Sequence, residues 1–217
     1  MEKLWSVHIL CSAILHLTEH TTMPHKHTRK LYCYIDETGQ DTLGTLFIVA
    51  IVVTNNSRND LRQLLETAEQ ETGKKTKWAK TSDKIRHAYI EALINGELPA
   101  QAYTKTYHHT AGSFDELEVL AAAQAVALYK EAHDITDSYK VTIAVDGLAK
   151  RLVPRIGHSF RLLGIKTRNV HGERGEASPI IRLADATAGL VREAQEGREQ
   201  YITLKKRIKD KQRLYEL

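Results

Sequence analysis

Leu31-Tyr32-Cys33-Tyr34-Ile35-Asp36-Glu37-Thr38-Gly39 is a β-prone apolar run that ends in two acids and a glycine. Its aromatic and branched residues predict a strand. Asp and Glu are disfavoured in strands and costly to bury, so a chain that sets them beside a core usually offers them a cation, a metal or a reactive role. The competing reading is a solvated hairpin turn over residues 36–41, because Asp and Gly are ordinary turn formers. Tyr139-Lys140-Val141-Thr142-Ile143-Ala144-Val145-Asp146-Gly147 repeats the theme of an apolar strand closed by an acid and a glycine. The repeat is more telling than either copy.

Leu46 to Val53 is apolar on both pleat faces and reads as a strand covered on both sides, paired with the first in an antiparallel hairpin. Asn55-Asn56-Ser57 breaks the run and can cap a helix through Leu61, Leu64, Leu65 and Ala68. Gly73-Lys74-Lys75-Thr76-Lys77-Trp78-Ala79-Lys80 is a basic segment around one tryptophan. It is either a solvated loop anchored by Trp78 or a phosphate-contacting loop, in which Lys77 and Lys80 meet a nucleic-acid backbone and Trp78 stacks on an unpaired base. A second helix is expected from about 82 to 94, so the two helices form an insertion at about 57–96 between strands two and three.

Residues 98–108 read as the third strand. Ser113 and Glu116 have capping-box spacing at the start of a helix that runs to about Ala132 and is small and apolar nearly all round. A buried helix lying on the sheet is expected there, which makes Glu118 an acid in an expensive place. A helix over 148–163, a fifth strand over 165–170 and a Gly- and Glu-rich loop over 172–176 follow the Asp146 strand. The next helix, 178–191, carries Asp185 among Leu183, Ala184, Ala188 and Gly189. Asp is a poor residue for a helix interior, so it is not there for helicity. The tail, 197–217, reads as a basic amphipathic helix with Tyr201, Leu204, Ile208 and Tyr215 along one line. Packing on the domain is its default role, with self-association or contact with nucleic acid as alternatives.

A length of 217 residues favours a single domain, here placed at 31–196. The net charge of +4 tolerates an anionic partner without requiring one. Cys11 and Cys33 have no metal-binding or redox spacing, which suits a reducing, cytoplasmic setting. No apolar run is long enough to span a membrane. Residues 1–30 read as an N-terminal extension, disordered or upstream of the true start. Leu4 to Leu15 lacks the charge pattern and cleavage site of a secretory signal, and His25 and His27 read as solvated.

A compact sheet brings the first and fourth strands together, and helices laid across it can add carboxylates from above. Converging acids cannot all stay ionised without a compensating cation. Oxygen ligands alone select hard ions such as Mg2+ or Mn2+, and two such ions suit in-line hydrolysis of a phosphodiester.

Asp36-Glu37-Thr38-Gly39, Lys77-Trp78, Asp146 and Arg182-Leu183-Ala184-Asp185 with Ala188-Gly189 resemble, in order and spacing, the motifs of the family catalogued as domain of unknown function 3800. Thr38 stands where that family usually has Ser, and Arg182 where it usually has Gln. The resemblance covers about residues 31–192. It implies an α/β, ribonuclease H-like mixed five-stranded sheet with flanking helices, and a divalent-metal-dependent nuclease acting on RNA or DNA, of a kind often suggested for prokaryotic or phage defence. On that reading Asp36, Asp146 and Asp185 are the metal ligands, Glu118 or Glu37 completes the site, and Lys77 lies near substrate phosphate. The alternative is a non-catalytic nucleic-acid-binding or regulatory module on the same fold.

Overall fold

The computed structural model describes residues 28–217 apart from 43, 44, 56, 110–112 and 137. The N-terminal extension expected over 1–30 therefore lies almost wholly outside the described residues, as do Cys11, His25 and His27.

Six strands form one sheet: β1 (Arg29–Thr38), β2 (Leu46–Thr54), β3 (Ala100–His108), β4 (Tyr139–Asp146), β5 (Thr167–Glu173) and β6 (Leu214–Glu216), in the order β5-β4-β1-β2-β3-β6. β1 and β2 pair antiparallel, as do β2 and β3, whereas β4 runs parallel to β1, β5 to β4 and β6 to β3. Six helices flank it: α1 (Arg58–Thr72), α2 (Asp83–Asn95), α3 (Phe114–Ala132), α4 (Val153–Leu162), α5 (Pro179–Gln195) and α6 (Glu199–Asp210).

The pleat divides the core in two. Tyr34, Ile48, Val52 and Ala144 face α1, α2, α5 and α6, while Cys33, Ile35, Val49, Ile143 and Val145 face α3 and α4. β2 is apolar on both faces because both are covered, and its residues from Phe47 to Val53 have no exposed surface. Burying each such side chain stabilises the fold by about 1.5–3 kcal/mol, so this hairpin is the mechanical centre of the domain. α5 lies across β1 and β2 and is covered in turn by α1 and α6. It starts at Ser178, whose hydroxyl accepts from the Ile181 amide at 3.4 Å, and has Pro179 in its first turn.

Five strands were expected and six are present among the described residues. The helical line through Tyr201, Leu204 and Ile208 does not continue to Tyr215. The chain leaves α6 through Gln212, at φ 55°, and Arg213 anchors the return by donating to the carbonyls of Leu93 and Ile94 at 2.6 and 3.1 Å. Leu214, Tyr215 and Glu216 then join the free edge of β3. Tyr201, Leu204 and Ile208 pack into the α5 side of the core. α4 begins at Val153 rather than near Leu148, because Pro154 lacks an amide hydrogen and suits only the first turn. β5 extends to Glu173, opposite Asp146, into the stretch expected to be loop. α3 is half covered rather than buried all round: Val119, Ala122 and Val126 face the sheet, while Leu120 and Leu128 are exposed. Neither Ser57 nor Ser113 makes a side-chain cap, and Glu116 meets Ser113 only through its backbone amide.

Candidate active site

The register of β1 and β4 sets the geometry. Ile35 pairs with Val145, so Asp36 and Asp146 follow side by side at the carboxyl ends of adjacent parallel strands. Alternation turns both toward α5. Asp185, in the second turn of α5, lies over the same end of the sheet, and the three acids come from three separate elements.

Their surroundings differ. Asp36 is 4% exposed; its Oδ1 accepts from the Glu37 amide at 2.8 Å, and its Oδ2 is buried without a hydrogen-bond partner. Burial, reinforced by the charges of Glu37, Asp185 and Asp146, raises its pKa to about 9. Asp146 has both oxygens occupied: Oδ1 accepts from the Gly175 amide at 2.9 Å and Oδ2 from the Lys77 ammonium at 2.5 Å. Asp185 accepts from the Trp78 amide through Oδ2 at 2.6 Å. Burial raises the pKa of Asp185 too, opposed by that hydrogen bond and by Lys74 and Lys77. The hydrogen bond to Asp146 raises the pKa of Lys77, and Asp36 and Asp185 add to the effect.

Glu37 follows Ile35 by two residues and so turns toward α3. Gln40 donates to its Oε1 at 2.9 Å, while its Oε2 is buried and unpartnered. Burial first, then the Asp146 charge, raise its pKa to about 7. Glu118 stands on that same face, beside Ile35 and Val145, and its pKa is raised to about 8 by burial and then by Glu37 and Asp115. Glu118 is therefore grouped with Glu37 and not with the three aspartates.

The basic segment is brought against the site, with its residues in different roles. Lys77 reaches Asp146, and Lys80 is exposed. Trp78, expected to stack on a base, is 4% exposed and belongs to the core, 5.8 Å from the Tyr201 ring, with the Arg86 guanidinium 5.1 Å from its own. It cannot stack on substrate from there; it fixes the loop. Its ring fills the space left by Gly189, where an added Cβ would come within 2.3 Å of it. Arg182 clamps Glu69 through two hydrogen bonds of 2.7 and 2.6 Å and donates to the Gly175 carbonyl at 2.8 Å, joining α1 to the loop that holds Asp146.

Sequence reasoning missed the Gly175 amide, which no side-chain pattern announces, and Lys74. This lysine is fully buried, donates to the Thr76 carbonyl at 3.2 Å and lies 4.8 Å from the Tyr89 ring centre, with its pKa lowered by burial. Gly189, four residues after Asp185, was visible as a glycine out of place in a helix.

Among the described residues, no three His, Cys, Asp or Glu side chains form a ready-made metal-binding group. The donor chemistry nevertheless fits a hard divalent ion: oxygen ligands only, with a buried carboxylate oxygen on Asp36 that lacks any hydrogen bond.

The architecture is similar to that of the ribonuclease HII class. The chain aligns with ribonuclease HII from Archaeoglobus fulgidus, seen in its complex with PCNA, with a TM-score of 0.51 and 17% identity over 77% of this chain and 75% of that one. It aligns with ribonuclease H2 from Pyrococcus horikoshii with a TM-score of 0.50 and 16% identity over 79% and 77%. At such identities the likeness is one of fold. No family model matches the sequence, and no curated protein matches it. No helix among the described residues is long and apolar enough to cross a membrane.

Proposed function

We propose that the chain is a divalent-metal-dependent nuclease that hydrolyses phosphodiester bonds of RNA or DNA, on a ribonuclease H-like fold and within the family of domain of unknown function 3800. The observation that carries this reading is the buried, unpartnered oxygen of Asp36, set beside Asp146 and beneath Asp185 where three elements meet. A carboxylate in that position is destabilised unless a cation or proton joins it. Asp36 and Asp185 would hold Mg2+ or Mn2+, with Glu37 at the rim. Lewis acidity toward a phosphodiester is what such an ion supplies when bound. Lys77 and the exposed Lys80 would meet substrate phosphate, a reading supported by the amide of Trp78, which ties Lys77's neighbour to Asp185. A cytoplasmic place and a part in prokaryotic or phage defence accord with this reading.

The rival is a nucleic-acid-binding or regulatory module without catalysis, favoured by the Lys77–Asp146 pair, which already neutralises one acid. Incubating labelled RNA and labelled DNA with the protein, with and without Mg2+ or Mn2+, separates the two. Metal-dependent cleavage is expected, and Asp185→Asn should lower it by at least about a hundredfold while leaving substrate binding largely intact. Binding without cleavage under every metal condition would establish the rival.

A further inference from the structure

The aspartates at the ends of β1 and β4 are not equivalent acceptors for cations. Asp146 already has one: its Oδ2 lies 2.5 Å from Lys77 Nζ, and its Oδ1 is held by the Gly175 amide. Asp36, 4% exposed and turned to the same face, has a buried oxygen with nothing on it.

Lys77 is also not a side chain that happened to swing in. Its carbonyl accepts from the Lys80 amide at 3.0 Å and the Thr81 hydroxyl at 2.9 Å. The next residue is locked on both sides, by its amide on Asp185 and by its ring against Gly189. The stem is confined as well, since a Cβ added at Gly175 would lie 3.3 Å from Lys77 Cε. The backbone, the loop glycine and the carboxylate together place one positive charge beside Asp146.

We infer that this centre takes a single divalent ion, at Asp36 and Asp185, and that Lys77 is its second cation, fixed on Asp146 and donating to a non-bridging oxygen of the phosphodiester. The inference rests on the nuclease reading and refines it. An ammonium has three donors, so one can stay on Asp146 while another meets phosphate. It supplies a fixed positive charge where negative charge grows during displacement, without leaving with product. With Asp146 neutralised, the remaining carboxylates have less charge with which to hold a second ion.

The test is the stoichiometry of Mn2+ binding to the full chain, by isothermal titration calorimetry and by electron paramagnetic resonance of free Mn2+. One ion per chain is expected for the parent and for Lys77→Arg. Lys77→Met keeps the length of the stem and removes the charge, and should take up two. The side chain of Lys77 is 40% exposed, so this variant is expected to fold, and its melting curve checks that. Two ions in the parent would overturn the inference and leave the nuclease reading standing. No ion in the parent would overturn both. One ion in Lys77→Met would show that Lys77 does not occupy a cation's place, and would also overturn the inference.

Discussion

Two strands of this sheet carry an aspartate at or near their carboxyl ends, and the two ends have opposite chemistry. At the β4 end, Asp146 is fully answered by an amide and an ammonium. At the β1 end, Asp36 is more deeply buried and keeps one oxygen unanswered, with its pKa raised to about 9. The same local pattern, an apolar strand followed by an acid and a backbone at positive φ within three residues, gives both. The difference arises from what the rest of the chain brings to each end: the loops carrying Lys77 and Gly175 reach β4 and bypass β1. One end is a finished ion pair and the other waits for a cation.

The largest expected effect comes from breaking the device that delivers Lys77. Gly189→Ala forces a methyl into the Trp78 ring, and overpacking of this kind costs about 1–3 kcal/mol. Melting should fall by roughly 2–4 °C for each kcal/mol, as read by calorimetry. If Gly189→Ala melts with the parent, the wedge is not what holds Lys77 to β4.

Next is the contrast between the two acids themselves. Without metal, Asp36→Asn removes the cost of protonating a carboxyl that burial keeps from ionising, and should raise stability by at least about 1.4 kcal/mol near neutral pH, the equivalent of one pKa unit. Asp146→Asn removes the partner of a half-exposed lysine and should lower stability by about 0.5–1 kcal/mol. Shifts of the same sign in the two variants would erase the distinction between the strand ends.

The smallest effect is a slope. The folded-state pKa of Asp36 lies above its unfolded value, so the stability this group contributes is full below about pH 4 and is lost as pH rises toward about 9. Glu37, raised to about 7, and Glu118, raised to about 8, add in the same direction. Melting temperature of the metal-free protein should therefore show a decline between pH 5 and 9 that is shallower in Asp36→Asn and, to a smaller degree, in Asp146→Asn, whose charge only reinforces the shifts of Asp36 and Glu37. A parent and an Asp36→Asn variant with equal slopes would mean that Asp36 is solvated after all.

Much of this was legible in the residues. β2 shows itself as a run apolar on both faces, and the acids closing β1 and β4 and interrupting α5 stand out because strands and helices disfavour them. Two failures share one cause, the assumption that a periodic pattern continues until it is stopped. Tyr215 fell on the helical line of α6 although the chain had already turned at Gln212, and the apolar residues of α3 were taken as facing inward all round although Leu120 and Leu128 do not. The basic segment could not be resolved from composition. Burial of Trp78 and Lys74 depends on how α5 and α2 pack over the segment, and only tertiary packing separates an anchor from a contact surface. Grouping Glu118 with Glu37 likewise required the strand register, since a one-residue slip would exchange the faces.

The fit of Trp78 against Gly189 makes two positions 111 residues apart a single unit of inheritance. Neither can drift alone: an alanine in place of the glycine has no room while the indole stays, and a smaller ring leaves a void beside Asp185. Lineages of this chain should therefore change the pair together or not at all. A sequence with a bulkier residue at 189 should carry a smaller one at 78, together with a different means of presenting a lysine to the end of β4.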